Sequence, residues 1–210
     1  MRLMPSRRRT LALLATALAL PAAASAALPP ADAATVERIQ RHLSAIATLQ
    51  ARFEQLNPDG STSSGRVYIQ RPGKMRFDYD PPSQILLIAT DWRLIFWDGS
   101  IQQQNVIPLS QTPLGFLLGR SAELDAAYEV MGVSRRYGEI DVTLVLAESP
   151  DAGSATVTFA EEPLELRRWS VLDAQGLVTR VLLEDVHIDQ PVDPKLFVWR
   201  DPQLFGPPRD

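Results

Sequence analysis

Met75, Phe77 and Tyr79 alternate with Arg76, Asp78 and Asp80. Successive residues of a strand point to opposite faces, so this run carries one apolar face and one charged face. The same period of two returns twice. Ile140, Val142, Leu144 and Leu146 alternate with Asp141 and Thr143, and Ala155, Val157 and Phe159 alternate with Thr156 and Thr158. Strands are also expected at 65–71, 85–89, 94–97, 101–107, 165–172 and 177–186. Turn chemistry separates them: Arg71-Pro72-Gly73-Lys74, Pro81-Pro82, a short turn with Asp91, Asp98-Gly99, and Asp173-Ala174-Gln175-Gly176. Proline stops a ladder, and glycine permits reversal. Many short strands joined by hairpin turns predict a mainly β protein with short helices. Its core is a single curved antiparallel sheet, strongly bent or barrel-like.

Two segments break the pattern. Over 33–49, Val36, Ile39, Leu43, Ile46 and Leu49 recur at helical spacing, with Glu37, Arg38 and Arg41 opposite and Asp32 placed to cap. This predicts an amphipathic helix lying on the sheet. Over 112–119 the sequence Thr-Pro-Leu-Gly-Phe-Leu-Leu-Gly predicts one or two helical turns, with Thr112 as cap and Pro113 at the first helical position. A short helix without a polar face must cover something or be covered.

The N-terminus reads as an export signal. Arg2, Arg7, Arg8 and Arg9 precede an apolar run from Leu11 to Leu20, and Ala24-Ser25-Ala26 supplies small residues for cleavage. The run is shorter than the ~20 residues of a spanning helix. Arg7-Arg8 also fits a twin-arginine signal, so either export route is open. Cleavage after Ala26 leaves residues 27–210, an ordinary length for one domain with a real core. Beyond Ala26 there are 17 basic and 25 acidic residues, a net charge of −8. That balance argues against nucleic acid and against general adhesion to anionic membranes.

The residues of common catalytic sites are missing or scattered. The chain has no cysteine, hence no thiol nucleophile, disulfide or lipidated cysteine. His42 and His187 stand apart and make a poor ligand set, so no metal is expected. There is no Gly-x-Ser-x-Gly elbow and no phosphate-cradling glycine loop. Carboxylates are paired at Asp78 and Asp80, Glu161 and Glu162, and Glu184 and Asp185. A glycoside hydrolase can use such a pair, but solvated strand faces carry them routinely. Trp92, Trp97, Trp169 and Trp199 fit a sugar groove or a core.

Several motifs in fixed order carry a resemblance. They are Phe53-Glu54-Gln55, Gly65-Arg66-Val67-Tyr68-Ile69, Arg71-Pro72-Gly73-Lys74-Met75-Arg76-Phe77-Asp78-Tyr79, Pro81-Pro82, and Thr112-Pro113-Leu114 with Leu117-Leu118. Residues 164–179, with Trp169 and the Asp173-Ala174-Gln175-Gly176 turn, continue the series. The chain resembles the outer-membrane lipoprotein carrier family, LolA, in its alphaproteobacterial branch, judged by the Arg-Phe-Asp-Tyr strand and Leu196-Phe197.

That resemblance implies an incomplete β-barrel, with its open side covered by the N-terminal helix and a short helical lid. It implies a periplasmic monomer without cofactor or catalysis, which carries lipoproteins between membranes. The donor would be an inner-membrane ABC-type release complex and the acceptor an outer-membrane receptor lipoprotein resembling LolB. The expected acyl-chain cavity comprises Met75, Phe77, Tyr79, Ile140, Val142, Leu144, Val157, Phe159 and Trp169. The expected lid comprises Pro113, Leu114, Phe116, Leu117 and Leu118. Arg71 would latch the lid by donating to carbonyls near Thr112 to Phe116. The physics of the cargo agrees: each buried methylene is worth about 0.8 kcal/mol, so acyl chains need a covered apolar cavity to cross water. Two other readings use the same residues, a periplasmic lipid- or lipoprotein-sensing module and a secreted glycoside-type hydrolase.

Overall fold

Pro30 opens the one α-helix among the described residues, where a missing N–H costs nothing. The computed structural model describes residues 28–112, 115–119 and 127–200; the export signal lies outside them. Helix α1 spans Pro30–Ala45 and buries Val36, Ile39 and Leu43. It is shorter at its C-terminal end than the periodicity suggests. Ile46 is extended, the carbonyl of Ala47 accepts from the N–H of Arg71, and Leu49 already belongs to a strand. Sheet pairing thus takes over about one turn's worth of helical pattern. Asp32 does not cap; it lies in the first turn and reaches Arg135 at 3.2 Å.

Eleven strands follow: β1 Thr48–Leu56, β2 Thr62–Gln70, β3 Lys74–Tyr79, β4 Ile85–Thr90, β5 Arg93–Asp98, β6 Gln103–Pro108, β7 Tyr128–Arg136, β8 Glu139–Leu146, β9 Gly153–Glu161, β10 Leu164–Asp173 and β11 Val178–Ile188. They form one antiparallel sheet in the order β6-β5-β4-β3-β2-β1-β11-β10-β9-β8-β7. Two meanders therefore meet at the β1–β11 seam, and β6 and β7 remain as edges. The barrel is incomplete, as the family resemblance implies. Strand β1 went unread because its start was absorbed into the helical pattern. Strand β7 is masked by a bulge between Val130 and Gly132, which leaves Met131 exposed and breaks the period.

Curvature shows in a single contact. Phe77 on β3 and Trp169 on β10 are separated by four strand spacings, about 19 Å in a flat sheet at ~4.8 Å per strand. Their ring centroids are 6.1 Å apart. Gly65 helps the bend: a Cβ there would lie 2.0 Å from the Asp78 carbonyl oxygen and 2.7 Å from the Phe53 ring. Phe53 covers that glycine and packs edge-on against Phe77 and Tyr79 at 4.8 and 5.1 Å.

The inner face holds the main core, including Phe53, Val67, Ile140, Leu144, Val157 and Phe159, each 0–1 % exposed. Against the outer face of β3 and β4 packs the turn Pro194–Phe197, anchored by Arg76 donating to the Leu196 carbonyl at 3.1 Å. Leu86, Ile88, Ile95 and Trp97 are buried on that outer face.

Candidate functional site

Strands β6 and β7 are opposite edges, and where the chain between them is described it lies over the open side of the sheet. Its described parts are two 3-10 turns, Leu109–Gln111 and Gly115–Leu118. Within 112–119 the described turn is Gly115–Leu118, and a further turn precedes it at Leu109–Gln111. Pro113 and Leu114, two expected lid residues, lie outside the described residues. Thr112 does not cap; its hydroxyl donates back to the Leu109 carbonyl at 3.0 Å. Phe116, Leu117 and Leu118 are all buried. Gly115 is required by closeness, since a Cβ would stand 2.4 Å from the Tyr128 hydroxyl and 2.5 Å from the Leu109 carbonyl oxygen.

The crossing segment is held at one end of the barrel by three ties to two strand turns. The N–H of Leu109 donates to the Trp92 carbonyl at 2.9 Å, and the N–H of Gly73 donates to the Leu118 carbonyl at 2.7 Å. Gly73 has φ +75°, a conformation that glycine adopts freely. Arg71 supplies the third tie. One guanidinium nitrogen donates to the Gly119 carbonyl at 3.0 Å, and the other donates to the Leu43 carbonyl near the end of α1. Its Nε is buried without a partner among the described residues. Burial pushes the guanidinium below its ordinary pKa. One half-buried cation thus joins the sheet, α1 and the crossing segment. Its lid partner is Gly119 rather than a carbonyl between Thr112 and Phe116.

Beneath this cover lies a cavity of about 430 Å³. Met75, Phe77, Tyr79 and Trp169 line it. Ile140, Val142, Leu144, Val157 and Phe159 are not on its wall. Val142, Leu144, Val157 and Phe159 instead face Val36, Ile39, Leu43 and Phe116 around a residual gap of about 10 Å³, and Ile140 is fully buried in the same core. Helix α1 therefore fills one half of the barrel, and the other half stays open. The wall that sequence reasoning missed comes mostly from β4, β5, β6 and β11: Leu87, Leu94, Phe96, Ile107 and Val181, with Leu118 from the cover. The inward parity of Leu87, Leu94 and Phe96 was available from alternation; which half α1 would occupy was not. Leu117 faces Leu43, Ile46, Leu49 and Ile69 and is packed as core, whereas its neighbour Leu118 reaches the cavity.

The acidic pair at Asp78 and Asp80 points away from the cavity. Asp78 binds Arg76 at 2.5 Å; Asp80 takes hydrogen bonds from Arg52 at 2.7 Å and Ser64 at 2.8 Å. Those partners, chiefly the Arg52 hydrogen bond, hold the Asp80 carboxyl below its ordinary pKa. Such groups are structural ion pairs on the outer face. His42 is pushed below its ordinary pKa by burial and by Arg38, against an opposing pull from Glu165. Among the described residues no group of three or more His, Asp or Glu is arranged to hold a metal.

The site is an apolar cavity inside an unclosed antiparallel barrel, under a crossing segment. The match is to a family model described as outer membrane lipoprotein carrier protein LolA, over residues 44–200. The chain belongs to that family, which is one of periplasmic, non-catalytic transport chaperones. Similar curated proteins include outer-membrane lipoprotein carrier proteins from Methylococcus capsulatus and Pseudomonas aeruginosa. The first is 29% identical over 181 residues, 82% of this chain and 86% of the relative. The second is 26% identical over 180 residues, 81% and 86%. Among solved structures it is similar to a LolA superfamily protein from Nitrosomonas europaea, at 12% identity and TM-score 0.42, covering 78% of this chain and 97% of that one. No described helix is long and apolar enough to cross a membrane.

Proposed function

We propose that this chain is exported, loses residues 1–26, and shelters lipoprotein acyl chains in the periplasm between an inner-membrane ABC-type release complex and a LolB-like receptor at the outer membrane. The observation that carries this reading is the apolar cavity of about 430 Å³ under the crossing segment. A 150 Å³ protein cavity holds benzene, so this space takes about 17 carbons, one long acyl chain. Burying that many methylenes is worth roughly 14 kcal/mol, enough to keep a chain out of water. A lipid anchor with several chains needs more room than the closed cavity offers. The cover must then move, and the donor complex supplies the energy for it.

The test is release of a labelled lipoprotein from vesicles that contain the donor complex and ATP. Wild-type protein is expected to carry the label into solution, with acylated species bound to it in native mass spectrometry. Val181→Phe, which fills the cavity, should capture less. Wild-type protein that binds no acylated species refutes the reading. N-terminal sequencing of periplasmic protein should begin near Ala27; recovery only in membranes with Arg2 to Leu20 intact refutes the export proposal.

A further inference from the structure

The cavity wall is apolar along most of its length and polar at one end. Gln55 lies near the end of β1, Tyr79 ends β3, Asp173 ends β10 and Thr179 lies near the start of β11. All four line the cavity. The strand register puts them at the barrel end opposite the turns of Arg71 and Trp92, where the cover is tied down. The Tyr79 hydroxyl donates to Gln55 Oε1 at 2.9 Å, and Gln55 Nε2 donates to Asn57 Oδ1 at 2.6 Å. A primary amide has two N–H donors. The second on Gln55 has no partner among the described residues, and it belongs to a side chain on the cavity wall. No Lys, Arg or His is among the described wall residues, and the one charged residue there is Asp173, whose Oδ1 accepts from the N–H groups of Gln175 and Leu177, both at 2.9 Å.

We propose that Gln55 and Tyr79 form a polar subsite for the ester or amide carbonyl of an acyl chain, so that the cavity takes neutral acyl esters and amides and disfavours free fatty acids. The proposal rests on the acyl-chain reading above and names the chemistry of the chain's head. An ester carbonyl buried without a donor loses its hydrogen bonds to water, and the free Gln55 N–H replaces one. The chain then lies with its carbonyl at this end and its methyl end under Leu118 and Met75. A fatty-acid carboxylate in the same place meets Asp173 and no described cation.

The test is displacement of a fluorescent acyl probe from the full mature chain by three ligands below their micellar concentrations: 1-monolauroylglycerol, laurate at pH 8, and dodecane. Wild-type protein is expected to bind the ester roughly three- to tenfold tighter than the alkane, the span of one neutral hydrogen bond. It is expected to bind laurate most weakly. Gln55→Leu and, independently, Tyr79→Phe should bring the ester-to-alkane affinity ratio toward one. A general loss of packing weakens both ligands and leaves that ratio alone. Asp173→Asn should narrow the gap between ester and laurate. If wild type binds ester and alkane equally, or if both variants keep the wild-type ratio, the subsite is overturned while the cavity reading stands. If none of the three ligands displaces probe, the acyl-chain reading itself falls.

Discussion

Arg71→Leu separates holding the fold from holding the cover. In the structure the guanidinium donates to the Leu43 and Gly119 carbonyls, charge-assisted bonds worth about 1.5 to 3 kcal/mol each. The Leu43 carbonyl also accepts from the N–H of Ile46 at 3.1 Å, so it keeps a partner in the variant. The cation is half-buried with its Nε unpaired, and its removal relieves a desolvation penalty. A buried leucine adds about 1.5 to 3 kcal/mol of apolar burial. These opposing effects leave global stability within about 1 kcal/mol of wild type, a shift of a few degrees in Tm. The cover fares differently. It loses the Gly119 tie and keeps those of Leu118 and Leu109, so its opening equilibrium should rise about tenfold to a hundredfold. Hydrogen exchange of residues 115–119 should speed up by that factor, and the variant should load lipoprotein but pass it on poorly. Unchanged exchange would refute the latch. Weaker cargo capture at unchanged Tm would instead put Arg71 in contact with cargo or donor.

Gly65→Ala should cost at least about 3 kcal/mol, because the added Cβ meets the Asp78 backbone and the Phe53 ring; a Tm within two degrees of wild type would show that the sheet relaxes there. Leu117→Ser should lower stability by about 2 to 5 kcal/mol as a core truncation, and a selective loss of acyl binding at unchanged Tm would assign it to the lid instead. Burial pushes the Tyr79 phenol from 10.0 up to about 12, against a smaller opposing effect from its Gln55 hydrogen bond. The folded state favours the neutral phenol, so this contribution is complete below pH 10 and disappears as pH rises through 12, by roughly 2.7 kcal/mol in all. Chemical denaturation at pH 9 and pH 11.5 should show a stability loss that is smaller in Tyr79→Phe; equal losses would contradict it.

Local pattern determined the β class, the turns, the apolar faces and the helix, because each depends on a side-chain period of two or 3.6 carried within a few residues. It also placed Met75, Phe77, Tyr79 and Trp169 on the inner face, and the ordered motifs pointed to the family. Only tertiary structure decided that β11 returns to pair with β1. That pairing leaves β6 and β7 as edges, and the described parts of the chain between them, 109–112 and 115–119, lie over the opening. It also decided that α1 fills the half lined by Val142, Leu144, Val157 and Phe159 and leaves the half lined by Leu87, Leu94 and Val181 empty. Both halves have the same apolar alternation. Which one receives the helix depends on where the chain ends joined at the seam carry α1, and on polar contacts far apart in sequence, such as Arg38 with the Glu161 carbonyl and Arg135 with Asp32.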